Sequence, residues 1–123
     1  MQRVTRQRRA IQKSLQAAGR PLSPRELLDA ARADVGGMGI ATVYRNLKTL
    51  QDEGTITPVE LPGEPARYEL AGKDHHHHFH CRSCDRVLEV EGCPEDIRSV
   101  APDGFEVEKH EVVLYGLCDA CAA

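Results

Sequence analysis

The 123-residue chain contains no apolar run near the roughly 18 residues that a membrane-spanning helix needs. Its opening stretch, MQRVTRQRR, lacks the apolar segment of an export signal. The expected compartment is therefore the cytoplasm, where thiols stay reduced and the five cysteines read as metal ligands before disulfides. The zinc-deaminase signature is missing too. No Glu follows a His at HxE spacing, and neither CxxC has a Pro before it. A zinc hydrolase or deaminase needs an open metal position with a general base nearby, so neither an enzyme nor a small-molecule substrate is expected.

Acidic residues are absent before Glu26, whereas Arg3, Arg6, Arg8, Arg9 and Lys13 precede it. Residues 1–58 hold ten Lys/Arg against five Asp/Glu, and residues 59–123 hold six against fourteen. The net charge of -3 thus conceals a basic half and an acidic half. Such asymmetry points to a polyanion-binding lobe joined to a lobe of another kind. A core shared between two small lobes is thin, and metal or a partner chain is expected to reinforce it.

The basic half reads as three short helices and a hairpin. Thr5 is a candidate cap for a first helix with Ile11, Leu15 and Ala18 on its apolar face and Gly19 as a stop. The segment 23-SPRE-26 is a capping box with Pro at the first helical position, and Leu27, Leu28, Ala31 and Val35 follow. After 36-GGMG-39, the stretch 40-IATVYRNLKTLQDEG-54 carries Ile40, Val43, Leu47 and Leu50 on one stripe. The segments 55-TITPVEL-61 and 66-ARYEL-70 flank a Pro/Gly-rich tip and predict a β-hairpin. Three helices and a hairpin make a winged helix-turn-helix over residues 1–70, with the helix before the wing placed to enter a DNA major groove. Its polar face offers Thr42, Tyr44, Arg45 and Lys48 to bases and phosphates. Arg3, in an arm ahead of the first helix, is expected in the minor groove.

A polar hinge, 71-AGKD-74, leads to a small α+β lobe over residues 75–123. Its strand-like segments are 77-HHFHC-81, 86-RVLEV-90 and 105-FEVEKHEVVLYG-116, with a short helical stretch opened by Pro94 that turns Ile97 and Val100 inward. Two CxxC pairs, Cys81/Cys84 and Cys118/Cys121, stand 33 residues apart. Four thiolates on two tight knuckles select zinc in a closed, structural site. Cys93 is expected to be a small buried residue or a helix-cap neighbour and not a ligand. The run 75-HHHH-78 is internal, which argues against a purification tag. On a strand His76 and His78 share one face, and His75 and His77 the other. With Glu69 and Glu89, the first pair can bind Zn²⁺, Fe²⁺, Mn²⁺ or Co²⁺.

Together 40-IATVYRNL-47, 68-YEL-70, 75-HHHHFHC-81, 86-RVLEV-90 and 110-HEVVLYGLCDAC-121 resemble the Fur (ferric uptake regulator) family of metal-responsive bacterial repressors, over nearly the whole chain. The resemblance implies a regulatory metal site at Glu69, His76, His78 and Glu89, and a further site to which His75, His77 and His110 contribute. It implies structural zinc at Cys81, Cys84, Cys118 and Cys121, base contacts from Tyr44, and a minor-groove role for Arg3. The partners implied are a palindromic double-stranded DNA operator and a second copy of the chain. The regulatory cation implied is Zn²⁺, Fe²⁺ or Mn²⁺.

The chain also departs from the family pattern. Pro21 stands where iron and peroxide sensors carry a regulatory histidine, 71-AGKD-74 lacks the cysteine of one type of zinc sensor, and Glu95 and Asp96 are the only candidates for an acidic ligand from the following helix. The alternative reading is a constitutive winged-helix regulator whose only metal is structural zinc. A metal-storage protein would leave the recognition helix without a purpose.

Overall fold

The computed structural model describes residues 2–94 and 96–123, with side chains from Thr5 onward. The chain divides into two compact units, Met1–Lys73 and Asp74–Ala123.

The first unit is α1 (Gln2–Ala18), α2 (Pro24–Ala31), α3 (Ile40–Asp52), β1 (Ile56–Val59) and β2 (Arg67–Leu70). Helix α1 starts earlier than expected, so Thr5 lies inside it and does not cap it. Gln2 and Arg3 are good helix formers, and nothing between them and Thr5 breaks the helix. Ile11 and Leu15 are buried as predicted, but Ala18 is exposed, and the inner face runs instead through Gln7 and Ala10. At α2 the capping box forms: the Glu26 N–H donates to Ser23 Oγ at 3.1 Å, and the Ser23 N–H donates to Glu26 Oε1 at 3.0 Å.

Helix α3 buries Val43, Leu47 and Leu50 against Ile11, Leu27, Leu28 and Met38. Each such aliphatic side chain contributes roughly 1.5–3 kcal/mol on leaving water. The helix ends in a Schellman turn. The Thr55 N–H reaches Leu50 O at 2.9 Å, the Gly54 N–H reaches Gln51 O at 3.0 Å, and Gly54 takes φ +77°, which a side chain would oppose. That turn feeds β1 directly, and β1 pairs antiparallel with β2 in the register Ile56↔Leu70 to Val59↔Arg67. Leu22 adds a bridge to Tyr68, with reciprocal hydrogen bonds of 2.9 Å, so the hairpin is stitched to the segment before α2. Buried Arg67 lies 3.7 Å from Glu26 and 3.5 Å from Glu64, a second tie between hairpin and α2. The first unit is thus a three-helix, winged helix-turn-helix arrangement.

The second unit is a three-stranded sheet in the order β4-β3-β5, from β3 (His77–Cys81), β4 (Val87–Val90) and β5 (Val113–Gly116), closed by α4 (Asp119–Ala122). Strands β3 and β4 are antiparallel, with His77↔Val90 and His78↔Glu89 opposed; β3 and β5 are parallel, with His78↔Val113 opposed. Two expectations fail here. The long strand foreseen over 105–116 shortens to Val113–Gly116, because β3 offers a ladder of only a few residues and a strand without a partner leaves its backbone groups unpaired. The helical stretch after Pro94 is a single 3₁₀ turn, Ile97–Val100, with Ile97 half-buried and Val100 77 % exposed. One turn lacks the length to present an inward stripe.

Candidate metal centres and nucleic-acid interface

The cysteine knuckle is built by the β3–β4 turn. The Asp85 N–H bonds Cys81 O and the Cys81 N–H bonds Arg86 O, both at 2.9 Å, and Asp85 adopts φ +66°, a left-handed conformation that Asp tolerates. His80 Nε2 lies 2.7 Å from Asp85 Oδ1 and steadies the same turn, a structural use for a histidine that no site had claimed. Because β5 runs parallel to β3, its end delivers Cys118 and Cys121 to Cys81 and Cys84, and the four sulfurs lie within 4.8 Å of one another. Cys84 Sγ and Cys118 Sγ are 3.8 Å apart. A tetrahedral ion with Zn–S near 2.3 Å needs sulfurs about 3.8 Å apart, so the residues fit zinc.

The electrostatics suit thiolates as well. Backbone N–H groups of Cys84 (3.5 Å) and Cys118 (3.4 Å) point at Cys81 Sγ and hold its pKa down to about 5. Arg86 Nε donates to Cys84 Sγ at 3.3 Å and lowers that thiol too, while Arg86 Nη2 reaches Cys118 Sγ at 3.6 Å. Ser83 pulls Cys121 down, but Cys118, Cys81, burial and Cys84 outweigh it and push that thiol up to about 11.

The histidine run straddles the start of β3, and alternation splits it. His76 and His78 stack on one face with ring centroids 4.8 Å apart, and His78 stands opposite Glu89 on β4. His76 Nδ1 contacts Asp74 O at 2.8 Å, which orients the ring. Glu69 is buried on β2, in the first unit. On the other face His75 and His77 lie 4.5 Å apart by ring centroid, and His110 joins them, with His75 Nε2 and His110 Nε2 only 3.1 Å apart. His77 is buried, and its pKa is lowered by desolvation first and by His75 and His110 next, both of which favour the neutral ring.

Cys93 enters this second cluster. It is exposed, contrary to the expectation of a buried or helix-capping residue, and its sulfur lies 3.1 Å from His110 Nε2, 3.3 Å from His77 Nε2 and 3.7 Å from His75 Nε2. Among the described residues no helix follows Cys93 directly, and its side chain turns back to the imidazoles. The only hint in the sequence was that Cys93 remained unpaired once the two CxxC motifs were assigned.

On α3, Tyr44 is 53 % exposed, Arg45 and Lys48 are exposed and Thr42 is half-buried. Arg45 Nη2 donates to Thr42 Oγ1 at 3.0 Å, and Lys48 Nζ lies 3.7 Å from Asp52. Buried Asn46 donates to Thr42 O at 2.9 Å and approaches Gln7 Oε1 at 3.5 Å, which fixes the rotation of α3 against α1. Arg3 falls in the first turn of α1 and not in an arm ahead of it; its side chain lies outside the described residues. Glu95 also lies outside them.

Residues 1–115 match the family model described as the Ferric uptake regulator family. The chain belongs to the Fur family. It is 33 % identical over 126 residues to the ferric uptake regulation protein of Campylobacter jejuni, covering 97 % of this chain and 79 % of that one. Among solved structures it resembles the Helicobacter pylori ferric uptake regulator, which reveals three functional metal-binding sites, at a TM-score of 0.73 and 28 % identity over 95 % of this chain and 80 % of that one. It also resembles FurB from M. tuberculosis, a zinc uptake regulator, at a TM-score of 0.53 and 31 % identity over 97 % and 95 % of the two chains. Fur-family membership makes the chain a metal-responsive regulator with candidate zinc and regulatory metal sites. Among the described residues no helix is long and apolar enough to cross a membrane.

Proposed function

We propose that this Fur-family chain is a transcriptional repressor that binds a palindromic operator as a homodimer when its regulatory metal is bound. The observation that carries the reading is the His76–His78 pair on one face of β3 with Glu89 opposite His78. Imidazoles and carboxylates shed protons to bind a divalent cation, so this face gains metal as its concentration rises and loses it on acidification. The family resemblance adds Glu69, from the first unit, to the ligand set. Metal shifts the protein toward the DNA-binding arrangement only through its higher affinity for that arrangement. Tyr44 and Arg45 are the proposed base and phosphate contacts, supported by Thr42 and Lys48, with Arg3 as a minor-groove contact. Cys81, Cys84, Cys118 and Cys121 hold structural zinc, and His75, His77 and His110 contribute to a further metal site. The protein acts in the cytoplasm, on a double-stranded DNA operator.

Gel-shift titration of metal-stripped protein with zinc, iron(II) and manganese(II) tests this. Metal-dependent operator binding is expected, and the order of effective concentrations names the sensed cation. One observation favours a second reading. Pro21 is fully buried and has no ligand atom, where related iron and peroxide sensors place a histidine. Operator binding that persists in chelator, with zinc retained by the cysteines, would establish a constitutive regulator instead.

A further inference from the structure

We propose that Cys93 is a ligand, and that its thiolate joins the imidazoles of His75 and His110 to make a sulfur-containing site selective for zinc-like cations. This deepens the further metal site proposed above and rests on that reading. It rests on no property of the DNA-binding unit.

The geometry is that of a preformed site. A four-coordinate zinc with Zn–N near 2.0–2.1 Å and Zn–S near 2.3 Å separates nitrogens by about 3.3 Å and nitrogen from sulfur by about 3.6 Å. The structure has His75 Nε2 to His110 Nε2 at 3.1 Å, Cys93 Sγ to His110 Nε2 at 3.1 Å and Cys93 Sγ to His75 Nε2 at 3.7 Å. The three atoms come from three places: the start of the histidine run, the loop after β4 and the segment entering β5. Convergence of a thiol and two imidazoles from separate segments, on a surface that water reaches, is not a packing requirement.

His77 has a different part. Its Nδ1 accepts the Val112 N–H at 3.1 Å, so the neutral ring carries its proton on Nε2, which faces the Cys93 sulfur at 3.3 Å. Before metal arrives, that N–H donates to the sulfur and aims it at the other two ligands. Coordinating groups held in this way by an outer hydrogen bond bind metal more tightly than free ones. Sulfur in the set also changes selectivity. Thiolate with imidazole favours zinc and cobalt, whereas manganese prefers oxygen ligands. The two faces of β3 are therefore chemically distinct: imidazole and carboxylate on the His76 face, imidazole and thiolate on the His75 face.

Cobalt(II) reads out sulfur ligation directly. Full-length protein holding one zinc per chain in the four-cysteine site is titrated with cobalt(II). The expected result is a sulfur-to-cobalt charge-transfer band with the intense visible bands of four-coordinate cobalt. Cys93→Ser should lose the charge-transfer band while keeping its folded circular-dichroism spectrum and its one zinc. Cobalt that binds on the His75 face without a charge-transfer band, or an unchanged band in Cys93→Ser, overturns the role of Cys93 alone. Failure of His75→Ala or His110→Ala to reduce cobalt uptake overturns the further metal site itself, and this proposal with it.

Discussion

Cys84 and Cys118 bring their sulfurs to 3.8 Å from each other although 34 positions separate them in the chain. The parallel pairing of β3 with β5 does this, and the knuckle after β3 completes it. Because the second unit has a small sheet, a zinc ion held at this point is expected to supply much of its stability.

Cys118→Ser should therefore lose about one zinc per chain and unfold the second unit. Structural zinc contributes on the order of 10 kcal/mol in zinc-finger peptides, as much as the whole stability of a small domain. Metal analysis together with thermal melting checks this. A variant that melts normally without zinc would show that the site is ornamental.

Tyr44→Ala and Arg45→Ala should each weaken specific operator binding by roughly 1–3 kcal/mol, the range for side chains that reach base edges. Both side chains project from the solvent face of α3, so the stability of the first unit should hold. Fluorescence anisotropy on operator and scrambled duplexes gives the comparison. Equal losses on both sequences would reassign these residues to the DNA backbone.

The double variant His76→Ala, His78→Ala should stay folded, keep its structural zinc and lose metal-dependent operator binding. Weak, salt-sensitive binding to any duplex should survive, since the basic residues of α1 and α3 are untouched. His75→Ala, on the opposite face of β3, should affect operator binding much less. Tight operator binding by the double variant in chelator would remove these histidines from the switch.

Among the described residues strand β5 pairs with β3 on one side only, and Leu114 and Tyr115 on it are exposed, as are Val100, Phe105 and Leu117 in the same unit. Apolar side chains beside an open strand edge suit a second copy of the unit across a two-fold axis. Leu114→Asp should convert a dimer into a monomer in light scattering at micromolar concentration. A wild-type monomer with zinc present would defeat the idea.

What the sequence determined by itself was local. The capping box at Ser23, the stripe of Val43, Leu47 and Leu50, the Gly54 stop, the hairpin around its Pro/Gly tip and the two cysteine knuckles each depend on residues within a few positions of one another. Alternation of the four histidines between two strand faces is local for the same reason. The sequence misjudged the start of α1, the length of β5, the inward direction of Val100 and the place of Cys93. Each of these depends on what stands across from the residue. A strand is as long as its partner permits, and a hydrophobic residue is buried only if another element covers it. Cys93 meets His110 because the loop after β4 and the segment entering β5 flank the same end of β3. That juxtaposition of residues 17 apart is a consequence of strand order, and no spacing rule within the chain encodes it.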